Sequence, residues 1–224
     1  MKSKQVKKRY DYLAKIYDLL HHLQTLWADD KHRKKVIKSV PVQGGDVVLD
    51  VGTGTGLTAI MAAMQYPNSL IVGVDFSYEM LKQARGKAQR EGLEDVVNFV
   101  CADASNLPFA LDSFNHIISA YGLGGIEYID QCLKEVKRVG KLNAKLAFAE
   151  MSETPEEYPI RMAIHKYIVG PWIRRFWNFR DLDLPSLLKK HKIQIERTEF
   201  FNDYLLGSTT LVSGRIGGSG RMLC

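Results

Sequence analysis

Asp50, Gly52, Gly54 and Gly56 fall at every second position of Asp-Val-Gly-Thr-Gly-Thr-Gly, directly after the apolar run Val47-Val48-Leu49. Glycine removes the Cβ where a ligand must touch main chain, and it takes φ > 0 without strain. A strand that delivers such a loop to the start of a helix forms a turn suited to a nucleotide cofactor. The spacing excludes the dinucleotide fingerprint G-x-G-x-x-G. Counted from Gly52 and Gly54, its third glycine falls on Leu57, where close helix–strand packing would need glycine.

Three further groups stand at the ends of apolar runs. Asp75 follows Leu-Ile-Val-Gly-Val, about 20 residues after the loop, where an acid can accept the hydroxyls of a ribose. Asp103 closes the run through Cys101-Ala102, and its carboxylate can accept a nucleobase amino group. Ala120-Tyr121-Gly122 ends another such run, and Glu150 ends a fifth. These groups act together only if all the runs are strands whose carboxyl ends share one edge of a sheet.

The pattern supports that arrangement. Strands are predicted at 46–51, 70–74, 96–101, 116–120 and 145–150, with helices at 30–39, 56–65, 77–91 and 127–139 between and before them. Alternating strands and helices with buried, β-rich runs indicate an α/β, Rossmann-like, doubly wound and mostly parallel sheet. Residues 155–191 read as a helical, aromatic insertion (Tyr158, Tyr167, Trp172, Phe176, Trp177, Phe179). Runs at 193–200 and 208–214 then form an antiparallel closing pair, making seven strands. At the front, Val6, Tyr10, Leu13, Tyr17 and Leu20 alternate at spacings of four and three, which predicts an amphipathic lid helix over 4–24. One domain is expected over 1–224: a helical lid to 40, a cofactor core over 41–150, and the insertion with closing strands over 151–224.

The chain has 224 residues, 46% hydrophobic and 25% charged, enough for one such domain with a sizeable core. No run approaches the roughly 20 apolar residues of a membrane span. The Lys-rich start has no apolar signal core. Three unclustered cysteines give neither a disulfide framework nor a metal site, which suits the cytoplasm. The net charge of +6 gathers in patches, among them Lys2, Lys4, Lys7, Lys8 and Arg9, and Lys31, Arg33, Lys34, Lys35 and Lys38. Such patches read either as a solvated face or as favouring nucleic acid, an anionic membrane surface or an acidic substrate.

The loop, with its preceding acid and the acids at 75 and 103, resembles the S-adenosylmethionine (SAM) site of class I methyltransferases. The flanks narrow the resemblance. Tyr10-Asp11-Tyr12-Leu13-Ala14-Lys15-Ile16-Tyr17-Asp18, Asn106-Leu107-Pro108-Phe109, Tyr121-Gly122-Leu123 and the segment from Glu135 to Glu150 are similar to the ubiquinone/menaquinone biosynthesis C-methyltransferases. The resemblance covers about residues 8–150. It implies SAM as cofactor, held by Asp50, Gly52, Thr53, Gly54, Thr55, Gly56, Asp75, Phe76, Asp103, Ala104, Ala120 and Tyr121, with no metal. The chain departs from the family pattern at Gly124-Gly125, where an Arg-Asn pair associated with the proton chemistry of ring methylation is usual. It departs again at Lys141-Leu142-Asn143-Ala144, in place of Lys-Pro-Gly-Gly, and at Ala120, often Ser.

Methyl transfer from a sulfonium is an in-line displacement, in which the protein aligns the acceptor and manages its proton. Glu150, Tyr121 and, from the lid helix, Tyr17 are the candidates for that proton. The expected acceptor is small or lipid-like, a quinone-precursor ring carbon first and a phospholipid or small amine nitrogen second. A SAM-binding protein acting through partners is a third reading. Nucleic acid is not expected as a substrate, because strand four lacks the Asn/Asp-Pro-Pro-aromatic signature and no RNA-binding module accompanies the basic patches. His116 opens strand four at the edge away from these groups and reads as structural.

Overall fold

The computed structural model describes residues 28–152, 182–204 and 207–217, together with positions 11, 12, 14, 160, 163, 167, 168 and 171. Most of the predicted lid helix, Tyr17 included, and most of the aromatic insertion lie outside the described residues.

Five parallel strands run in the order of the apolar segments: β1 (Val47–Val51), β2 (Leu70–Asp75), β3 (Val97–Cys101), β4 (Phe114–Ala120) and β5 (Gly140–Ser152). Two more, β6 (Ile193–Tyr204) and β7 (Gly207–Ile216), complete a seven-stranded sheet ordered β3-β2-β1-β4-β5-β7-β6. The strand order reverses between β1 and β4, and in open parallel sheets ligands bind outside the strand ends at such a switch. β7 lies antiparallel to both neighbours, pairing Lys145 with Arg215 at one end of β5 and Ser152 with Ser208 at the other.

Helices cover both faces. α1 (Ala28–Lys38), α2 (Leu57–Gln65) and α3 (Tyr78–Arg90) lie on one side, where Val36, Ile37, Ala59, Ala62, Leu81 and Ala84 pack on Val48, Ile71, Ile118 and Ala147. On the other, α4 (Ile129–Val139) and α5 (Leu184–Lys190) bring Leu133, Val136, Leu184 and Leu188 against Leu49, Val74, Leu146 and Phe148. Each fully buried Leu, Ile or Val side chain here contributes about 1.5–3 kcal/mol.

Local signals set the helix ends. Ser77 caps α3 by accepting the Met80 N–H at 3.2 Å, with Glu79 in the first turn and Lys87 and Arg90 in the last. Asp183 caps α5 by accepting the Ser186 N–H at 3.1 Å, with proline in the first turn. β5 is longer than predicted: Asn143 takes φ 65° inside it, and the β4–β5 register shifts between Phe114 and His116. The strand therefore absorbs Lys141-Leu142-Asn143-Ala144, which reads as a turn in the sequence.

Candidate active site

The glycine loop is built from the strand end outward. Asp50 is buried, and its Oδ2 accepts the Thr53 hydroxyl at 2.6 Å. Thr53 N–H donates to Val74 O at 2.9 Å, tying the loop to β2, and Gly56 N–H returns to Thr53 O at 2.9 Å. All three glycines take positive φ: 69° at Gly52, 55° at Gly54 and 82° at Gly56.

The three are needed for different reasons. A Cβ on Gly52 would stand 2.8 Å from the Gly122 Cα, so the loops after β1 and β4 touch through main chain. A Cβ on Gly56 would stand 2.7 Å from the Ala84 Cβ and 2.9 Å from Phe99, so α3 and β3 close in behind the loop. A Cβ on Gly54 would meet nothing within 4 Å. Gly54 lines a cleft at the carboxyl ends of β1 to β4.

Asp75 stands beside it. Its Oδ2 accepts the Gly54 N–H at 3.0 Å and its Oδ1 accepts the Ser77 N–H at 2.9 Å. A carboxylate has about four acceptor directions, and the N–H groups of Gly54, Ser77 and Phe76 use three of them, which leaves about one for a ligand hydroxyl. Burial pushes the Asp75 carboxyl up to about 6, against the pull of the Ser77 and Gly54 N–H groups. The Ser77 hydroxyl donates to Asp11 Oδ1 at 2.5 Å, which brings the N-terminal segment to this corner. Asp103 lines the cleft further along, its Oδ1 accepting the Ser105 N–H and hydroxyl at 2.8 and 2.7 Å.

Of the residues named from the sequence, Gly52, Gly54, Asp75, Phe76, Asp103, Ala104 and Tyr121 line this cleft. Asp50, Thr53, Thr55, Gly56 and Ala120 do not; they stand behind it as its frame. Burial raises the Asp50 carboxyl to about 7, although the Thr53 hydroxyl opposes the shift. The Thr55 carbonyl accepts Lys87 Nζ at 3.1 Å, and the Ala120 carbonyl accepts Arg33 Nη1 at 3.4 Å.

Glu150 is fully buried and does not reach the cleft surface. Its Oε1 accepts the Leu123 N–H at 2.6 Å, fixing the 3-10 turn Leu123–Gly125. Burial raises its carboxyl to about 8, opposed by the N–H groups of 122–124. His116 binds Asp46 Oδ2 at 2.9 Å towards the amino ends of the strands, away from the cleft.

Several contributors were not legible as site residues. Val74, Met80 and Ala102 line the cleft from positions that read as core or strand, and Gly125, Ile126, Glu127 and Tyr128 line its far wall. His32 and Arg33 were missed altogether. Arg33 read as part of a basic surface patch, yet it is 5% exposed and pairs with Asp29. Lys31, Lys34 and Lys38 do stay exposed.

Main-chain walls at Gly52 and Gly54, a carboxylate acceptor at Asp75 and the apolar Val74 and Met80 fit the backbone-hugging amino acid, the ribose and the base of SAM. Residues 1–175 match the ubiE/COQ5 methyltransferase family. The chain belongs to this family. It is 34% identical over 172 residues to a demethylmenaquinone methyltransferase of Bacteroides fragilis, covering 76% of this chain and 70% of that one. A demethylmenaquinone methyltransferase of Porphyromonas gingivalis is 34% identical over 208 residues, covering 92% and 84%. Among solved structures, a SAM-dependent methyltransferase from Aquifex aeolicus superposes with a TM-score of 0.62 at 22% identity, covering 82% of this chain and 89% of that one. The fold is theirs, and the protein is a SAM-dependent methyltransferase. No described helix is long and apolar enough to cross a membrane.

Proposed function

We propose that the protein methylates a ring carbon of a hydroxylated quinone precursor carrying a lipid-like tail. The observation that carries this reading is the 34% identity to demethylmenaquinone methyltransferases across most of the chain. Bound SAM supplies an electrophilic methyl group on sulfur. The chain's own residues then have three tasks. Asp75, Gly52 and Gly54 hold the cofactor in one pose, and Ile126 and Tyr128 supply apolar wall for the acceptor. Tyr121, which lines the cleft, takes part in removing the acceptor's hydroxyl proton. Glu150 and Tyr17 are the other candidates that the sequence offers for that proton; Glu150 is buried behind the cleft, where it accepts the Leu123 N–H. The twelve cofactor residues named from the sequence act as contacts where they line the cleft and as its support where they do not.

Gly124-Gly125 favours a second reading, methylation of a phospholipid or amine nitrogen, because neither residue offers a side chain to a phenol. Isotope-labelled SAM, a demethylated naphthoquinol with an isoprenoid tail and phosphatidylethanolamine, compared by product mass, test the two. Label in the quinol supports the first reading, and label in the amine alone replaces it. The organisation proposed around this core is one domain, with 4–24 as a lid. The basic residues at 2–9 would bring it to an anionic membrane that holds the acceptor, each contributing about 1 kcal/mol near the surface.

A further inference from the structure

α1 carries a histidine that none of the cofactor motifs includes. His32 is fully buried, and its Nδ1 lies 2.6 Å from the Tyr121 hydroxyl. Its ring stacks, tilted by 34°, on Phe201 of β6 at 4.6 Å between centroids. The same phenol oxygen is 3.3 Å from Thr209 Oγ1 on β7, and the Arg33 guanidinium lies 5.6 Å from the centre of the Tyr121 ring. Two elements outside the glycine loop, α1 and β7, therefore converge on one phenol, and β6 backs His32.

The main chain at Tyr121 is itself unusual. It takes φ 62°, which a bulky side chain rarely adopts, while its N–H donates to Ala149 O at 2.8 Å. Strained positions of this kind persist where the surroundings over-determine them, and they gather at active sites. Here the determinants are His32, Thr209 and Arg33, and the residue so held lines the cleft.

We propose that His32 is a positioning residue that makes Tyr121 competent to take the acceptor's proton. The inference rests on the ring-carbon reading above. A phenol with pKa near 10 is a poor base at neutral pH unless a partner removes its own proton. With the imidazole proton on Nε2, Nδ1 accepts the Tyr121 O–H, and the phenol oxygen acts as an acceptor towards everything else.

The proton balance closes without any further reagent. The acceptor's O–H bond breaks towards the Tyr121 oxygen as the Tyr121 proton crosses to His32 Nδ1, leaving an imidazolium. The electron pair left on the acceptor oxygen delocalises to the ring carbon and forms the bond to the methyl group. The carbon–sulfur bond breaks with its pair on sulfur. The ring C–H proton then leaves to solvent, and the imidazolium returns its proton through Tyr121 to the ring oxygen. One proton is released per methyl transferred.

The groups around His32 set the pH at which this works. Asp29 and Arg33 share its helix, Tyr121 comes from the end of β4, and Lys35 Nζ lies 4.3 Å above the Phe201 ring, paired with Glu199 of β6 at 2.9 Å. Thr209 and Phe201 are the neutral faces. Once His32 is protonated it no longer accepts from Tyr121, so the turnover rate falls on the acid side.

His32→Asn is the deciding variant. Its amide can keep a hydrogen bond to Tyr121 and cannot take the proton. With the quinol acceptor, we expect kcat to fall about 10²-fold, the SAM Kd measured by calorimetry to stay within a few-fold, and the acid limb of the kcat profile to disappear. Adding Tyr121→Phe should make little further difference. Unchanged kcat with the acid limb intact overturns the proposal. Imidazole NMR of the full chain tests it without turnover: the His32 Nδ1 resonance should shift in Tyr121→Phe, and an unmoved resonance overturns the proposal even if His32→Asn does not fold. Wild-type protein that leaves the quinol unmethylated fails the ring-carbon reading itself, and this inference falls with it.

Discussion

Arg33 and Asp29, one turn apart on α1, form a buried ion pair with Nε to Oδ2 at 3.5 Å, and the same guanidinium donates through Nη1 to the Thr58 hydroxyl at 2.7 Å. Arg33 thereby ties α1 to α2 and to the end of β4. Its charge also favours ionisation of Asp50 and Glu150, both of which burial disfavours. Arg33→Met removes the cation from beside the buried Asp29 and takes its hydrogen bond from the Thr58 hydroxyl. Breaking one side of a buried pair costs about 3–5 kcal/mol, so urea unfolding should show a loss of that order. A change below about 1 kcal/mol would show the pair to be incidental.

SAM affinity should depend on the ionisation of Asp75. Asp75 accepts a ligand hydroxyl most strongly when it is ionised, and burial sets that change near pH 6. Binding should therefore be at full strength above about pH 7 and weaken as pH falls through 6. Asp75→Ala should weaken it by about 1–3 kcal/mol at neutral pH, the usual loss for a deleted acceptor. Calorimetry from pH 5 to 8 checks both, and a flat pH profile in the wild type would remove Asp75 from the binding site.

Two glycine variants should separate folding from binding. Gly52→Ala places a methyl 2.8 Å from the Gly122 main chain at φ 69°, so it should lower stability as well as SAM affinity. Gly54→Val meets no protein atom within 4 Å in its first carbon, and its branches enter the cleft. It should abolish SAM binding with a smaller loss of stability, from positive φ alone. Full-strength binding of SAM by Gly54→Val would mean that the loop is not the cofactor site.

Glu150 supplies a pH prediction for stability. Its carboxyl titrates near 8 when folded, against 4.5 as its ordinary value. The folded state therefore holds an extra proton between those limits, and stability falls as pH rises through that window. Asp50, raised to about 7, acts in the same direction. Glu150→Gln keeps an acceptor for the Leu123 N–H and should flatten the decline, seen as a gain over wild type in urea unfolding at pH 9. Turnover should hold within a few-fold. A loss of about 10²–10⁴ in kcat with SAM affinity intact would instead make the carboxylate the base.

What was legible in the sequence follows from how local the determinants are. Ser77 caps its own helix, Asp75 accepts the Ser77 N–H two residues on, and positive φ is a property of each glycine by itself, so their types and spacing announce the β2–α3 corner. Arg33 does not: four neighbouring cations hide the one whose partner, Asp29, lies a turn earlier and whose other contacts come from Thr58 and Ala120. The wall from Gly125 to Tyr128 was equally hidden, because its place depends on the turn that Glu150 holds from the neighbouring strand. Asn143 was readable as a residue that tolerates positive φ, but not as one that lets β5 continue through it.

The position of β7 bears on how the chain is made. It is inserted between β5 and β6, so β5 emerges from the ribosome with one edge unsatisfied until residues 207–216 follow. The nascent protein passes through a stage in which the cofactor half is complete while an open, apolar strand edge faces solvent, the kind of surface that invites intermolecular pairing. Thr209 reaches Tyr121 only when that strand arrives. A polypeptide stalled before it would retain the glycine loop and its acids, lack the groups that steady the phenol, and depend on chaperones to escape aggregation.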